Sequence, residues 1–294
     1  MQGKQASEIK ALIDLLDDPD TKVFVQVRDK LLAIGNDAVP FLEESWENTF
    51  DSEIQQKIEN VIHGIQFRYT YEELNKWLHF YPEDLLKGFL IVTCYQFPEV
   101  NIEELTQKVE QIKWDMWLEL NENLTALEIV RVVNHVFYDI HKFAANKVNP
   151  NAIQNYFLNN LLETHRGNPL SMGIIYLIFC QKLNIPVYGV DLPEHFVLAY
   201  TSEIREGNKI IRKDKKDVMF YINPFKRGTV FSKKEIEIYL VQLKLEADPS
   251  FFLPCDNAAI IRRLISSLIT TCKFYNFEDK VRELEVLAAL FKPD

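Results

Sequence analysis

Cysteine is scarce in this sequence. There are four, Cys94, Cys180, Cys255 and Cys272, and none lies within five residues of another. The spacing excludes a Cys-x-x-Cys metal or redox hook, and the number excludes a disulfide-stapled scaffold. Glycine is scarce too, with nine residues, which makes Gly-rich phosphate loops and most all-β barrels poor expectations. Basic residues are outnumbered, 33 against 43 acidic, for a net charge of −10. A chain of that sign repels nucleic acid and anionic membrane, so neither is an expected partner. Long apolar runs are missing as well. The longest, Phe89 to Tyr95 and Ile174 to Cys180, reach about seven residues, where a membrane span needs about 20. The first residues run into an amphipathic pattern and not into an apolar leader, so the expected location is the cytoplasm.

What is present is ordinary globular material. Hydrophobic residues make up 47% and charged residues 26% of the 294, and that length suggests about two domains at roughly 150 residues each. Up to residue 65 the pattern is of paired helices. Ser7 is placed to cap the first, whose apolar positions include Ile9, Leu12 and Leu16, and Asp17-Asp18-Pro19-Asp20 breaks it. A second, from about Lys22 to Ile34, ends at Gly35. A third begins near Ala38, and a fourth carries Ile54, Ile58, Val61 and Ile65. Two tandem hairpins read equally as a short HEAT-type array or as the start of a bundle. An array of two units cannot bury itself and should dock on the helices C-terminal to it. Residues 70–145 continue helical, with starts at Tyr71, Pro82 and Asn101 and a further helix from Leu127 to Tyr138. Trp77, Trp114 and Trp117 fall inside these patterns and are expected in the core.

The pattern then changes. Residues 187–191, 195–200 and 218–222 are short, β-branched and aromatic, and Pro186, Pro193 and Pro224 bound them, so they read as strands. Between the last two, Ser202 to Asp217 carries Lys209, Arg212, Lys213, Lys215 and Lys216 interleaved with acids. A solvated hairpin arm explains it better than an anion-binding patch. Ser232-Lys233-Lys234-Glu235 matches a capping box. Residues 246–294 end in two helices with a turn near Tyr275-Asn276-Phe277, a single tetratricopeptide-like hairpin that should pack on the domain as a lid.

Chemistry concentrates in three places. Gly167-Asn168-Pro169 is a helix-start signal, and the helix it opens runs from about Leu170 to Leu183, apolar nearly all round and therefore central. Ser171 lies in its first turn, where free N–H groups and the helix dipole favour developing negative charge. His195 opens one strand and Asn223 closes the next. By alternation each shares a face with its strand's other inward residues, so a hairpin of the two strands would set them side by side. The order nucleophile, imidazole, orienting side chain is the papain-like one, in which Asn can take the third role. His165, Arg166 and Asn168 stand beside the helix start as candidate binding residues, with an ordinary loop role open for His165. Cys180 is nine residues beyond Ser171, on the opposite side of the helix, and Cys94 reads as apolar filler. The remaining histidines show no HxxxH or HExxH spacing, so neither metal nor other cofactor is expected.

At these residues the sequence resembles a known family. "HRGNPLSMGIIYL", "IPVYGVDLPEHFVLAY" and "YINPFKRG" look like the transglutaminase-like core of the bacterial SirB-type proteins, best over about residues 150–240. The resemblance implies an α+β, mostly helical chain with a small antiparallel sheet on a central helix. It divides the chain into a helical region (1–145), a transglutaminase-like core (146–245) and a C-terminal helical hairpin (246–294). It also implies a Cys-His-Asp triad, whose places Ser171, His195 and Asn223 take here. A Ser-His-Asn set joins the weaker nucleophile to the weaker orienter, since Asp to Asn in a Ser-His-Asp site costs about 10⁴ in kcat. The expected function is therefore a catalytically degenerate module that binds a peptide, protein or other ligand. The alternative is a serine-dependent acyl-transfer enzyme, amidase or protease using Ser171, His195 and Asn223.

Overall fold

The structure, a computed structural model, describes residues 2–206 and 209–291, and the side chains of 2–4 and 203–216 lie outside the description. The chain forms two compact units, residues 1–76 with 94–98, and residues 77–93 with 99–294.

The first unit is helical. It is built from α1 (Gln2–Asp14), α2 (Thr21–Ile34), α3 (Val39–Asn48) and most of α4 (Ser52–Phe80). Asp20 caps α2 by accepting the Lys22 N–H at 2.8 Å, and Gly35 ends it with φ +75°. Ile9, Leu12, Leu16, Leu31, Leu42 and Ile58 meet in its core. The helix start expected at Tyr71 does not exist, because α4 is continuous. Between Ser52 and Phe80 there is no proline, and the one glycine, Gly64, is placed where a Cβ would come within 3.0 Å of Leu32. A single glycine weakens a helix without ending it.

The second unit holds α5 (Leu85–Gln96, less its last residues), α6 (Ile102–Glu119), α7 (Ala126–Asn134), β1 (Ala144–Ala145), α8 (Leu158–Thr164), β2 (Arg166–Gly167), α9 (Pro169–Lys182), β3 (Val187–Leu192), β4 (His195–Glu206), β5 (Lys209–Asn223), β6 (Thr229–Phe231), α10 (Lys233–Gln242), α11 (Asn257–Phe274) and α12 (Glu278–Ala289). The fold is α+β and mostly helical, as the family resemblance implied. Strands β3 to β6 form one antiparallel meander, each paired with its neighbour in sequence. All three expected strands are present; β4 and β5 run on into the 202–217 arm, whose basic side chains are almost all outside the described ones. Every residue of α9 from Leu170 to Cys180 is buried.

Two expectations fail in α6 and α7. Trp77 is fully buried, but Trp114 and Trp117 are 51% and 54% exposed. The buried stripe of α6 is Leu105, Val109, Ile112 and Met116, and both tryptophans fall outside its phase. They pack edge to face on each other at 5.3 Å. The helix expected over 127–138 changes after Asn134 into a π-helical turn, His135–Ile140. That turn brings Phe137 into the centre of an aromatic cluster, stacked on Phe143 at 4.3 Å and edge to face with Tyr138 and Tyr176.

Candidate functional site

Ser171 is the third residue of α9. Asn168 caps the helix by accepting the Ser171 N–H at 2.9 Å, and the Ser171 hydroxyl accepts the Asn168 N–H at 3.1 Å. This is a reciprocal cap, with Pro169 in the first turn where its missing N–H does no harm. The hydroxyl is wholly buried. Gly167 closes over it so tightly that a Cβ there would sit 2.6 Å from Ser171 Oγ.

The sheet places His195 elsewhere. Register sets Asp191 opposite Phe196, Gly189 opposite Leu198, and Leu198 opposite Ile222. That face meets α9 at Gly173, where a Cβ would run into the Phe196 ring. The other face carries Val190, Val197, Ala199 and Tyr221, and it packs on Ile236 and Leu240 of α10. His195, two residues before Val197, belongs to this second face and stacks on Tyr239 of α10 at 5.0 Å and 15°. Asn223 pairs across from Thr229 on the same face. His195, Asn223 and Thr229 therefore line one pocket of about 230 Å³, with Val197, Phe231 and Tyr239 among its apolar walls. The structure thus brings His195 and Asn223 together, while among the described residues no hydrogen bond joins either to Ser171.

Hydrogen bonds fix what each pocket group can offer. His195 Nδ1 is 3.0 Å from the Glu194 carbonyl. A carbonyl only accepts, so in the neutral ring Nδ1 bears the hydrogen and Nε2 is left as an acceptor. Asn223 Oδ1 accepts the N–H groups of Phe225 and Lys226, both at 3.1 Å. What remains to Asn223 is its amide NH₂. The turn after Asn223 is anchored from behind. Asn134 Nδ2 donates to the Gly228 carbonyl and Asn134 Oδ1 accepts from Tyr176, each at 3.0 Å, while the Tyr138 hydroxyl donates to the Pro224 carbonyl and Arg227 pairs with Asp139. Burial pushes the Tyr138 and Tyr176 phenols up, so both remain O–H donors. Sequence reasoning missed Asn134, Tyr138, Tyr176 and Tyr239. A signal existed only for Tyr239, which continues the i, i+3, i+4 phase of Ile236 and Leu240.

The three candidate binding residues serve the backbone. His165 ends α8 in the left-handed region (φ 52°) and stacks on Phe143 at 4.6 Å. Arg166 donates from Nη1 to the carbonyls of Lys142 (2.7 Å) and His165 (3.0 Å). Asn168 Oδ1 caps α9, while its buried Nδ2 has no hydrogen-bond partner among the described residues. Burial, and then the charge of His141, hold the His165 imidazole below the ordinary histidine value. The unfolded chain therefore binds this proton more readily than the folded one, and the stabilisation is lost as pH falls below about 6.5. Urea unfolding is expected to show stability falling between pH 7 and 5, with a shallower slope in His165→Asn, which tolerates the left-handed backbone.

No cysteine is a ready nucleophile. Burial pushes the Cys94 thiol up to about 11 and the Cys255 thiol to about 12, and it raises Cys180 and Cys272 as well. Among the described residues no group of three or more His, Cys, Asp or Glu side chains is placed to hold a metal ion.

A family model described as transglutaminase-like superfamily matches residues 103–266, more than half of the chain. The mouse F-box only protein 21 is 26% identical over 146 residues, covering 50% of this chain and 22% of that protein. A UPF0162 protein of Buchnera aphidicola subsp. Baizongia pistaciae is 30% identical over 139 residues, 47% of this chain and 45% of its own. A UPF0162 protein of Vibrio cholerae is 24% identical over 192 residues, 63% and 65% of the two chains. The chain therefore spans about a fifth of the length of the F-box protein and under half of the Buchnera one. No solved structure matches. Matched over its central helix, its sheet and the pocket between β4, β5 and α10, the chain belongs to the transglutaminase-like superfamily, as its resemblance to the SirB-type proteins implied.

Proposed function

We propose that this chain is a binding module on a transglutaminase-like fold, catalytically degenerate, with its ligand pocket at His195 and Asn223. The observation that carries this reading is the state of Ser171. Its hydroxyl is buried and occupied in the reciprocal cap with Asn168, and the imidazole that would have to deprotonate it stacks on α10 instead. A serine nucleophile needs a general base within hydrogen-bond reach. In this reading Ser171 starts the central helix, and the pocket takes a peptide or small ligand. The HEAT-like hairpins and the tetratricopeptide-like hairpin would add protein-interaction surfaces. The place of action is the cytoplasm; among the described residues no helix is long and apolar enough to cross a membrane.

A fluorophosphonate probe tests it. No labelling of Ser171 is expected in the native protein, and Ser171→Ala is expected to cost about 1 kcal/mol of stability, because the Asn168 N–H loses its acceptor while the Asn168 cap itself remains. A Ser171 adduct that disappears in His195→Ala would overturn the binding-only reading in favour of the acyl-transfer enzyme. Titration with a panel of small polar and apolar fragments is expected to move the NMR signals of His195 and Asn223. Shifts confined to other surfaces would remove the pocket from the proposal.

A further inference from the structure

The pocket on the α10 side of the sheet has a polar inventory that narrows its ligand. Two of its lining residues can donate to a ligand, the exposed Lys226 through its ammonium and Asn223 through its amide, whose oxygen is already held by the turn. Among the described residues no carboxylate pairs with Lys226. His195 Nε2 is an acceptor, left open by the Nδ1 contact with the Glu194 carbonyl. Leu192, Val197, Phe231 and Ile236 supply an apolar wall, and two further polar groups are engaged with the backbone, the Thr229 hydroxyl donating to the Lys226 carbonyl and the Tyr239 hydroxyl to the Pro193 carbonyl. The carboxylate on this wall, Glu235, is engaged by its own helix start through one oxygen only, and its Oε1 is left as a second acceptor beside His195. Its Oε2 accepts the Ser232 N–H at 2.8 Å and the Ser232 hydroxyl at 3.1 Å, and it stands at the N-terminus of α10, where the helix dipole offsets its charge.

We infer that this pocket takes an α-carboxylate whose α-carbon carries an apolar side chain. The inference rests on the reading of the pocket as the binding site and names the ligand class. The carboxylate accepts from Lys226 and Asn223, in charge-assisted hydrogen bonds for the first. The ligand's α-nitrogen donates to His195 Nε2, and the side chain lies on the apolar wall. A volume of about 230 Å³ is enough for one such residue. The same chemistry is offered by the C-terminal residue of a peptide and by a free apolar amino acid.

The test uses the full-length chain, isotope-labelled, with NMR signals of His195 and Asn223 as the readout. N-acetyl-L-leucine is expected to shift both saturably. N-acetyl-L-leucinamide, which differs by lacking the carboxylate charge, is expected to bind at least about tenfold more weakly, as is N-acetyl-L-leucine to Lys226→Met. L-leucine separates the two sources: tighter binding than the acetylated form assigns a free amino acid, weaker binding a peptide C-terminus. Equal binding of acid and amide overturns the carboxylate inference while leaving the pocket as a binding site. Unchanged affinity in Lys226→Met, in a variant whose spectrum is otherwise native, overturns it too. If the acid moves neither signal, the ligand class is wrong, and the fragment titration then decides separately whether the pocket binds at all.

Discussion

Phe137→Ala is expected to lower the stability of the second unit by about 3–5 kcal/mol, the range for removing a large buried aromatic ring. Phe137 is fully buried. It sits in the π-helical turn, with Phe143 stacked on one side and Tyr138, Tyr176 and Phe179 around its edge. Of those neighbours, Tyr138 donates to the 224–228 turn directly, and Tyr176 donates to Asn134, which in turn holds Gly228. The vacated volume would thus border a polar network, and partial collapse would tilt both phenols. Hydrogen exchange reads this directly. Amides of α9 should lose protection in the variant, while those of α1 and α2, in the other unit, should keep theirs. Unchanged exchange in α9 would remove Phe137 from the centre of the core.

Gly228→Ala is expected to cost about 2–4 kcal/mol, from two separate sources. The backbone there has φ +66°, a left-handed conformation that only glycine adopts freely. In addition, a Cβ would fall on the Asn134 side-chain amide, which donates to the Gly228 carbonyl itself. Relief of that overlap would move Asn134 and break its contact with Tyr176. Position adds a functional effect. The same turn places Asn223 and Lys226 in the pocket, so Gly228→Ala should weaken pocket binding even where enough folded protein remains to measure it. Gly35→Ala is an internal comparison. It has open space where its Cβ would be, so its cost is conformational alone, set by φ +75° with ψ −146°, a combination essentially restricted to glycine. A Gly228→Ala loss that Asn134→Ala does not relieve in the double variant would show that the overlap with Asn134 contributes nothing.

Much of the fold was legible in the sequence because its signals are local. Pro169 after a capping Asn, the capping box at Ser232 and the prolines bounding the strands each act within a few residues. The helix starts and strand limits they announced are present. Two local signals misled, since Ser7 lies inside α1 and Tyr71 inside α4; the other failures depended on distant partners. Nothing near Trp114 records that the core-facing stripe of α6 runs through Ile112 and Met116, and nothing near Asn134 announces the π turn. The site was half legible. Alternation correctly put His195 and Asn223 on one face of a hairpin. Which helix that face meets is set by the packing of Gly173 on Phe196, a contact between residues 23 positions apart that no periodicity carries.

The meander has a consequence for how the pocket comes into being. Because β3 to β6 pair strictly in chain order and α10 comes directly after them, its walls all come from the stretch between Leu192 and Tyr239. Contacts over such short separations carry little loop-closure entropy and lower the contact order of this part of the chain. The pocket is thus encoded as a near-contiguous cassette. Its lining can be exchanged by substitutions within fewer than fifty consecutive residues, leaving the apolar sequence of α9 on the other face of the sheet unchanged.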